Sequence, residues 1–105
     1  MSVTDPGEGS RGLVQALWDR FQPLAGERVA VLESYAALRS TGADDATLRE
    51  AATRATHNLH GSLGTYGRPD GSRLAMTYGD ALLRGDPDPT RLLELSRRLR
   101  AVVGR

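Results

Sequence analysis

The 105-residue sequence contains no cysteine and no lysine, so all 14 of its basic residues are arginine. Without cysteine the chain has no thiol nucleophile, disulfide or cysteine-ligated zinc, and without lysine it has no Schiff-base amine and no P-loop cation. Thirteen acidic residues leave a net charge near +1, which gives no large field for holding a phosphate backbone or an anionic membrane. The sequence therefore predicts no nucleic-acid partner, and partners have to be recognised through local surface features.

No apolar run approaches the roughly 20 residues that a membrane span needs, so we expect no membrane insertion and a cytoplasmic location. Residues 1–10 are rich in Gly, Pro, Ser, Thr and acidic residues, which is typical of a flexible lead-in. Residues 11–105 have the length of one helical domain. We expect a monomer, and the initiator methionine with its lead-in favours a free-standing protein.

From Gly12 onward the apolar residues recur three and four positions apart, and no stretch alternates with a period of two. This pattern predicts an all-α fold, an antiparallel four-helix bundle with an additional N-terminal helix. Pro23 is expected to stop or kink the first segment, which leaves open whether the first two segments are separate helices or one bent unit. The bundle helices are predicted to begin at Pro23, at Asp44 or Asp45, at Asp70 or Ser72, and at Asp88, with turns near Ser40, Gly67 and Gly85.

The third predicted helix carries its apolar residues on one side. With Leu48 at zero and about 100° per residue, they fall within about 60° of it: Ala52, Ala55, Leu59, Leu63 and Tyr66. His57 lies about 180° away, which predicts an exposed imidazole.

Three residues of this helix lie over the same patch as His57: His60, Gly61 and Gly64. A glycine inside a helix costs about 1 kcal/mol relative to alanine, so two of them on an exposed face indicate a need for space. We predict that Arg54 and His60 belong to a docking surface for another protein, and we interpret Gly61 and Gly64 as part of the same surface. The alternative is that they allow another helix of this chain to approach closely.

The stretch THNLHGSLGTYG, residues 56–67, resembles the signature of histidine phosphotransfer domains, the helical bundles of multistep phosphorelays. The matching positions are His57, Leu59, Gly61, Ser62, Gly64 and Gly67. The resemblance implies that His57 takes a phosphoryl group from the aspartate of a response-regulator receiver domain and returns it to another. The expected partners are such a receiver domain and a hybrid histidine kinase. The chain would be a phosphoryl carrier and not an autonomous kinase, without a cofactor, because the magnesium belongs to the receiver.

The sequence departs from the family at His60, where a basic residue is common. Arg54, three residues before His57, is a candidate for a permanent charge beside the phosphoryl group, and simple solvation of this arginine is the alternative. His57 and His60 could present two nitrogens to a metal ion, but zinc usually takes at least three protein ligands, so we predict no metal site.

Two other functions remain open. One is a degenerate phosphotransfer-like adaptor that binds signalling partners without accepting phosphate, although an intact His57 counts against it. The other is an unrelated structural helical bundle, which should show a contiguous apolar patch, for example around Trp18.

Overall fold

The computed structural model describes the backbone of residues 6–105 and the side chains of residues 12–105. Within this range the chain forms four α-helices and no strand, which confirms the all-α prediction. The helices are α1 (Pro6–Ser40), α2 (Ala46–Thr65), α3 (Pro69–Leu83) and α4 (Pro89–Val103). Helix α1 packs on α2 and α4, and α3 also packs on α2 and α4, so the four helices form a closed ring around one core.

The additional N-terminal helix is not a separate element, because α1 runs without a break through Pro23. Proline removes a hydrogen bond and normally kinks or ends a helix. Here Trp18 on one side of Pro23 and Ala25 and Val29 on the other are all buried in the same core. Because tertiary packing supplies most of the stability of a helix, burial on both sides carries α1 past the proline.

The predicted lead-in, residues 1–10, lies partly outside the described residues. Residues 1–5 are outside them, and α1 begins at Pro6, inside the predicted segment. The division into residues 1–10 and a domain of residues 11–105 stays a prediction.

Two helix starts follow the predicted capping chemistry. The Asp45 carboxylate accepts a hydrogen bond from the Leu48 N–H at 2.7 Å, and α2 begins directly after Asp45. At α4 the Asp88 side chain accepts from the Thr90 N–H at 3.0 Å, and Pro89 occupies the first turn, where its missing N–H costs nothing. Both starts were predictable because capping is local in sequence.

The start of α3 differs from the prediction of a cap at Asp70 or Ser72. The helix begins at Pro69 after Arg68, which makes no side-chain cap hydrogen bond. Asp70 lies inside the first turn, where its carboxylate accepts from the Gly71 N–H at 2.9 Å. The prediction was wrong because it overlooked a first-turn proline, whose fixed φ suits the start of a helix.

The connections at the two ends of the ring turn at glycines. Gly67 and Gly85 have φ of 76° and 92°, as expected for residues that end helices in the left-handed region. At one end Arg39 reaches across from α1 and bonds Asp86 of the α3–α4 connection at 2.6 Å. The α3–α4 connection is thereby held to α1.

The core draws on all four helices and centres on three large aromatic side chains, Trp18, Tyr35 and Tyr78, of which none is more than 1% exposed. The Tyr78 hydroxyl donates to the Leu32 carbonyl of α1 at 2.8 Å, so its polar group is satisfied inside the core. In the described part of the chain, no helix combines the length and apolar character that crossing a membrane would take.

Two glycines of α3 set how closely it packs against its neighbours. A Cβ added to Gly71 would lie 2.8 Å from both Leu63 Cδ1 and Val102 Cγ1, and one added to Gly79 would lie 3.1 Å from Thr56 Oγ1. The close approach of α3 to α2 therefore requires glycine on α3. From the sequence, close helix packing was an alternative only for the glycines of α2.

We predict opposite effects of alanine at two glycines. Gly71→Ala should lower the free energy of unfolding by about 1–2 kcal/mol, because overpacking against Leu63 and Val102 outweighs the gain in helix propensity. Gly61→Ala is the matched control. No atom lies within 4 Å of its added Cβ, so it should raise stability by up to about 1 kcal/mol. Urea denaturation measures both, and equal effects would contradict the packing described for α3.

We also predict that stability falls at high pH because of Tyr78. Burial raises the pKa of Tyr78 above its ordinary value, whereas the unfolded phenol ionises above about pH 10. The stability that this difference supplies is complete below that pH and is lost as the pH rises from there toward the raised pKa of the folded protein. Tyr78→Phe should cost about 1 kcal/mol near neutral pH through the lost hydrogen bond. The variant should then lose less stability than the wild type between about pH 8 and about pH 11. Equal losses of stability by the wild type and Tyr78→Phe over this pH range, measured by denaturation, would refute the prediction.

Candidate functional site

The orientation of α2 follows from its buried stripe. Leu59 and Leu63 are fully buried, and Ala52 and Ala55 are buried beside them. His57 lies on the opposite side of the helix and is exposed, as its position in the helical pattern predicts. No described residue forms a hydrogen bond with the His57 ring, so both ring nitrogens are open to a reaction partner.

An open depression lies on one side of His57. Its volume is about 350 Å³, and its walls come from the C-terminal half of α2 and the residue that follows it: His57, Asn58, Gly61, Ser62, Thr65 and Tyr66. An added Cβ at Gly61 would meet no atom within 4 Å, so the missing side chain of Gly61 helps to leave this space open. The arrangement allows a group on another molecule to approach the imidazole from the side.

A second depression, the α2–α3 groove, lies on the other side of His57. It has a volume of about 220 Å³ and a mainly apolar lining: Thr53, Thr56, His57, His60, Ala75, Met76, Gly79, Asp80 and Leu83. Met76 and Leu83 keep 47% and 81% of their surface exposed there. His57 therefore lies on a ridge between a depression with a mixed polar and apolar lining and a mainly apolar groove.

The charges around His57 differ between its two sides. On the helical wheel, Arg54 and Gly61 lie about 60° and about 40° from His57 in one direction, and His60 lies about 60° in the other. Arg54 is exposed and forms no ion pair with another described residue. Asp80 of α3 lines the groove side. The permanent cation is thus on the side of Gly61, and a carboxylate is on the side of His60.

His60 is held against α3 by three polar contacts with Ser72. Its Nδ1 lies 2.8 Å from Ser72 Oγ and 3.1 Å from the Ser72 carbonyl oxygen, and Ser72 Oγ lies 2.7 Å from the His60 carbonyl oxygen. Ser72 itself is buried. His60, predicted as part of the docking surface, is therefore exposed but fixed to the neighbouring helix.

The two glycines of the predicted docking surface have different surroundings. Gly61 faces open space, whereas a Cβ added to Gly64 would lie 3.6 Å from Ser72 Oγ, an ordinary van der Waals distance. Gly64 is exposed but borders α3. The structure therefore brings Arg54 and Gly61 to one side of His57 and places His60 and Gly64 toward α3.

Three residues of the site were not predicted from the sequence: Asn58 and Asp80, which line the two depressions beside His57, and Ser72, which contacts His60. Asn58 directly follows His57, and its place in the depression could have been derived from the helical wheel. Ser72 and Asp80 belong to α3, and no local signal shows which residue of α3 faces which residue of α2. In the described part of the chain, no group of three or more acidic or histidine side chains could hold a metal ion.

Comparison with known proteins adds no relative. No protein-family model, no curated protein and no solved structure matches the chain.

Proposed function

We propose that this protein is a histidine phosphotransfer protein, in which His57 carries a phosphoryl group to or from the aspartate of a response-regulator receiver domain. The ring of four helices would then be an antiparallel four-helix bundle that holds this histidine. The observation that supports the proposal best is the exposed His57, unbonded to described residues, beside the open depression over Gly61. The signature-like spacing of residues 56–67 agrees with this arrangement.

The proposed chemistry needs one unprotonated ring nitrogen of His57. Its lone pair attacks the phosphorus of the receiver's aspartyl phosphate, a P–N bond forms, and the P–O bond to the aspartate breaks and releases its carboxylate. The reverse attack by another receiver's carboxylate returns the group. Imidazole suits this exchange because it is often unprotonated near neutral pH and leaves well when protonated. Phosphoryl transfer depends mainly on positioning and charge neutralisation, and both come largely from the docked partner.

The charges near His57 favour the Gly61 side for the phosphoryl group. A phosphoryl group adds a charge of roughly −2, which Arg54 can balance and Asp80 on the other side of the ridge would oppose. The open depression also gives a receiver access on this side. We therefore place the docked receiver over Gly61, with Arg54 next to the transferred group.

The two alternatives make different claims about the surface. Trp18 is only 1% exposed, so it supplies no apolar patch for a structural assembly. Three leucines of α1, Leu13, Leu17 and Leu24, are more than 40% exposed and lie within about 40° of one another on the helix. This stripe is the observation that favours a structural or adaptor role, in which partners bind without phosphoryl transfer.

We predict that His57 is the acceptor of phosphate. The protein is incubated with a receiver domain labelled by radioactive acetyl phosphate, with and without magnesium. We expect acid-labile, base-stable label on the wild type and none on His57→Gln, which keeps a polar side chain but has no nucleophilic ring. His60→Gln is the matched control and should still be labelled. Label on neither histidine from any of a panel of receivers would favour the adaptor or structural alternatives.

We predict a smaller effect for Arg54. Arg54→Gln should lower the rate of transfer to His57 about tenfold, because a charge-assisted contact with the phosphoryl group is lost. Arg97→Gln removes the same charge from α4, which packs on α1 and α3, and should leave the rate unchanged. The comparison uses the initial rate of label transfer at equal protein concentrations. Equal rates for the two variants would show that Arg54 is only solvated.

A further inference from the structure

We infer that Ser72 is a positioning residue that fixes His60 as the tautomer protonated on Nδ1, so that Nε2 is the ring nitrogen left free beside His57. The assignment of the tautomer depends on geometry alone. The role of His60 in transfer rests on the proposed function.

The Ser72 hydroxyl has a single proton to donate. Ser72 Oγ lies 2.7 Å from the His60 carbonyl oxygen and 2.8 Å from His60 Nδ1. A carbonyl oxygen can only accept a hydrogen bond, so the contact between the two oxygens requires the hydroxyl to donate to it. Ser72 Oγ then has only lone pairs to offer to His60 Nδ1.

The backbone of Ser72 leads to the same assignment. His60 Nδ1 lies 3.1 Å from the Ser72 carbonyl oxygen, which is also an acceptor only. A proton on Nδ1 satisfies both contacts of the ring, with Oγ and with the carbonyl. A lone pair on Nδ1 could receive the hydroxyl proton, but it would then face the Ser72 carbonyl. The hydroxyl would also no longer point at the His60 carbonyl, so two acceptor oxygens would face each other at 2.7 Å. One tautomer thus satisfies three contacts, and the other satisfies one.

This tautomer determines which hydrogen-bonding group His60 presents on the side of His57 that faces α3. No described residue bonds Nε2 of His60, and the ring lines the α2–α3 groove together with His57 and Asp80. A neutral His60 of this tautomer presents an acceptor at Nε2, not a donor. A partner that contacts it has to bring a hydrogen-bond donor, such as an amide or a guanidinium group. The position where histidine phosphotransfer domains commonly carry a basic residue is therefore an acceptor in this protein whenever the ring is neutral.

The experiment is a long-range ¹H–¹⁵N NMR correlation on the full chain at about pH 8.5, where imidazole is mostly neutral. A measurement on the wild type alone is enough to assign the tautomer of His60. We expect His60 to show a protonated Nδ1 and an unprotonated Nε2, and His60 protonated on Nε2 would overturn the inference. No variant has to fold for this measurement.

Variants then test the role of Ser72. Ser72→Ala should release His60 to the tautomer protonated on Nε2. Ser72→Thr should restore Nδ1 protonation, since Gly64 leaves space beside the hydroxyl. Ser96→Ala is the matched control, because Ser96 is a buried serine of α4 whose hydroxyl bonds only its own helix. Ser96→Ala should leave the tautomers of both histidines unchanged. An unchanged His60 tautomer in folded Ser72→Ala would refute the positioning role.

The transfer assay separates this inference from the proposed function. We expect Ser72→Ala to change the transfer rate about fivefold and Ser72→Thr to restore it. A switched tautomer with an unchanged rate would overturn the role of His60 in transfer. Absence of transfer in the wild type, with Nδ1 of His60 protonated, would refute the proposed function and leave the tautomer assignment standing.

Discussion

The burial of Leu59 and Leu63 is the constraint on which the rest of the site depends. Both side chains are fully buried, and burying a leucine contributes about 1.5–3 kcal/mol. Rotating α2 about its axis would expose them, so the rotation is fixed and His57 has to point away from the core. Gly71 then lets α3 pack directly against Leu63, which brings Ser72 within hydrogen-bond distance of His60. The exposure of one histidine and the fixation of the other have the same cause.

The sequence predicted those parts of the fold that depend on local patterns. The stripe of α2 follows from a period of 3.6 residues, and the starts at Asp45 and Asp88 follow from side chains that cap the next turn. Pro23 was misleading because its effect on the backbone is local, whereas the packing that carries α1 past it comes from distant residues. The period of the pattern could indicate one bent unit, but it could not decide between one helix and two.

The candidate site shows the same limit, because its features that depend on contacts between helices could not be predicted from local patterns. The helical wheel places Gly61 and Gly64 near His57, but it cannot tell which of them faces another helix. That distinction depends on the pairing of α2 with α3, which puts Ser72 beside Gly64 and leaves Gly61 open. Asp80 could not be assigned to the groove for the same reason. The sequence thus predicted the exposed face of α2 and not its surroundings.

In the proposed carrier, the unequal sides of His57 suit a phosphoryl group that has to leave as readily as it arrives. A carrier gains nothing from binding its phosphoryl group too tightly, because stabilisation of the bound state alone raises the barrier to the next transfer. In the proposed carrier, Arg54 is an exposed permanent cation on one side of the group. A second permanent cation at position 60 would hold the group from the other side. When its ring is neutral, His60, held by Ser72, offers a lone pair there instead. In the proposed carrier, this leaves most of the charge neutralisation to the docked receiver.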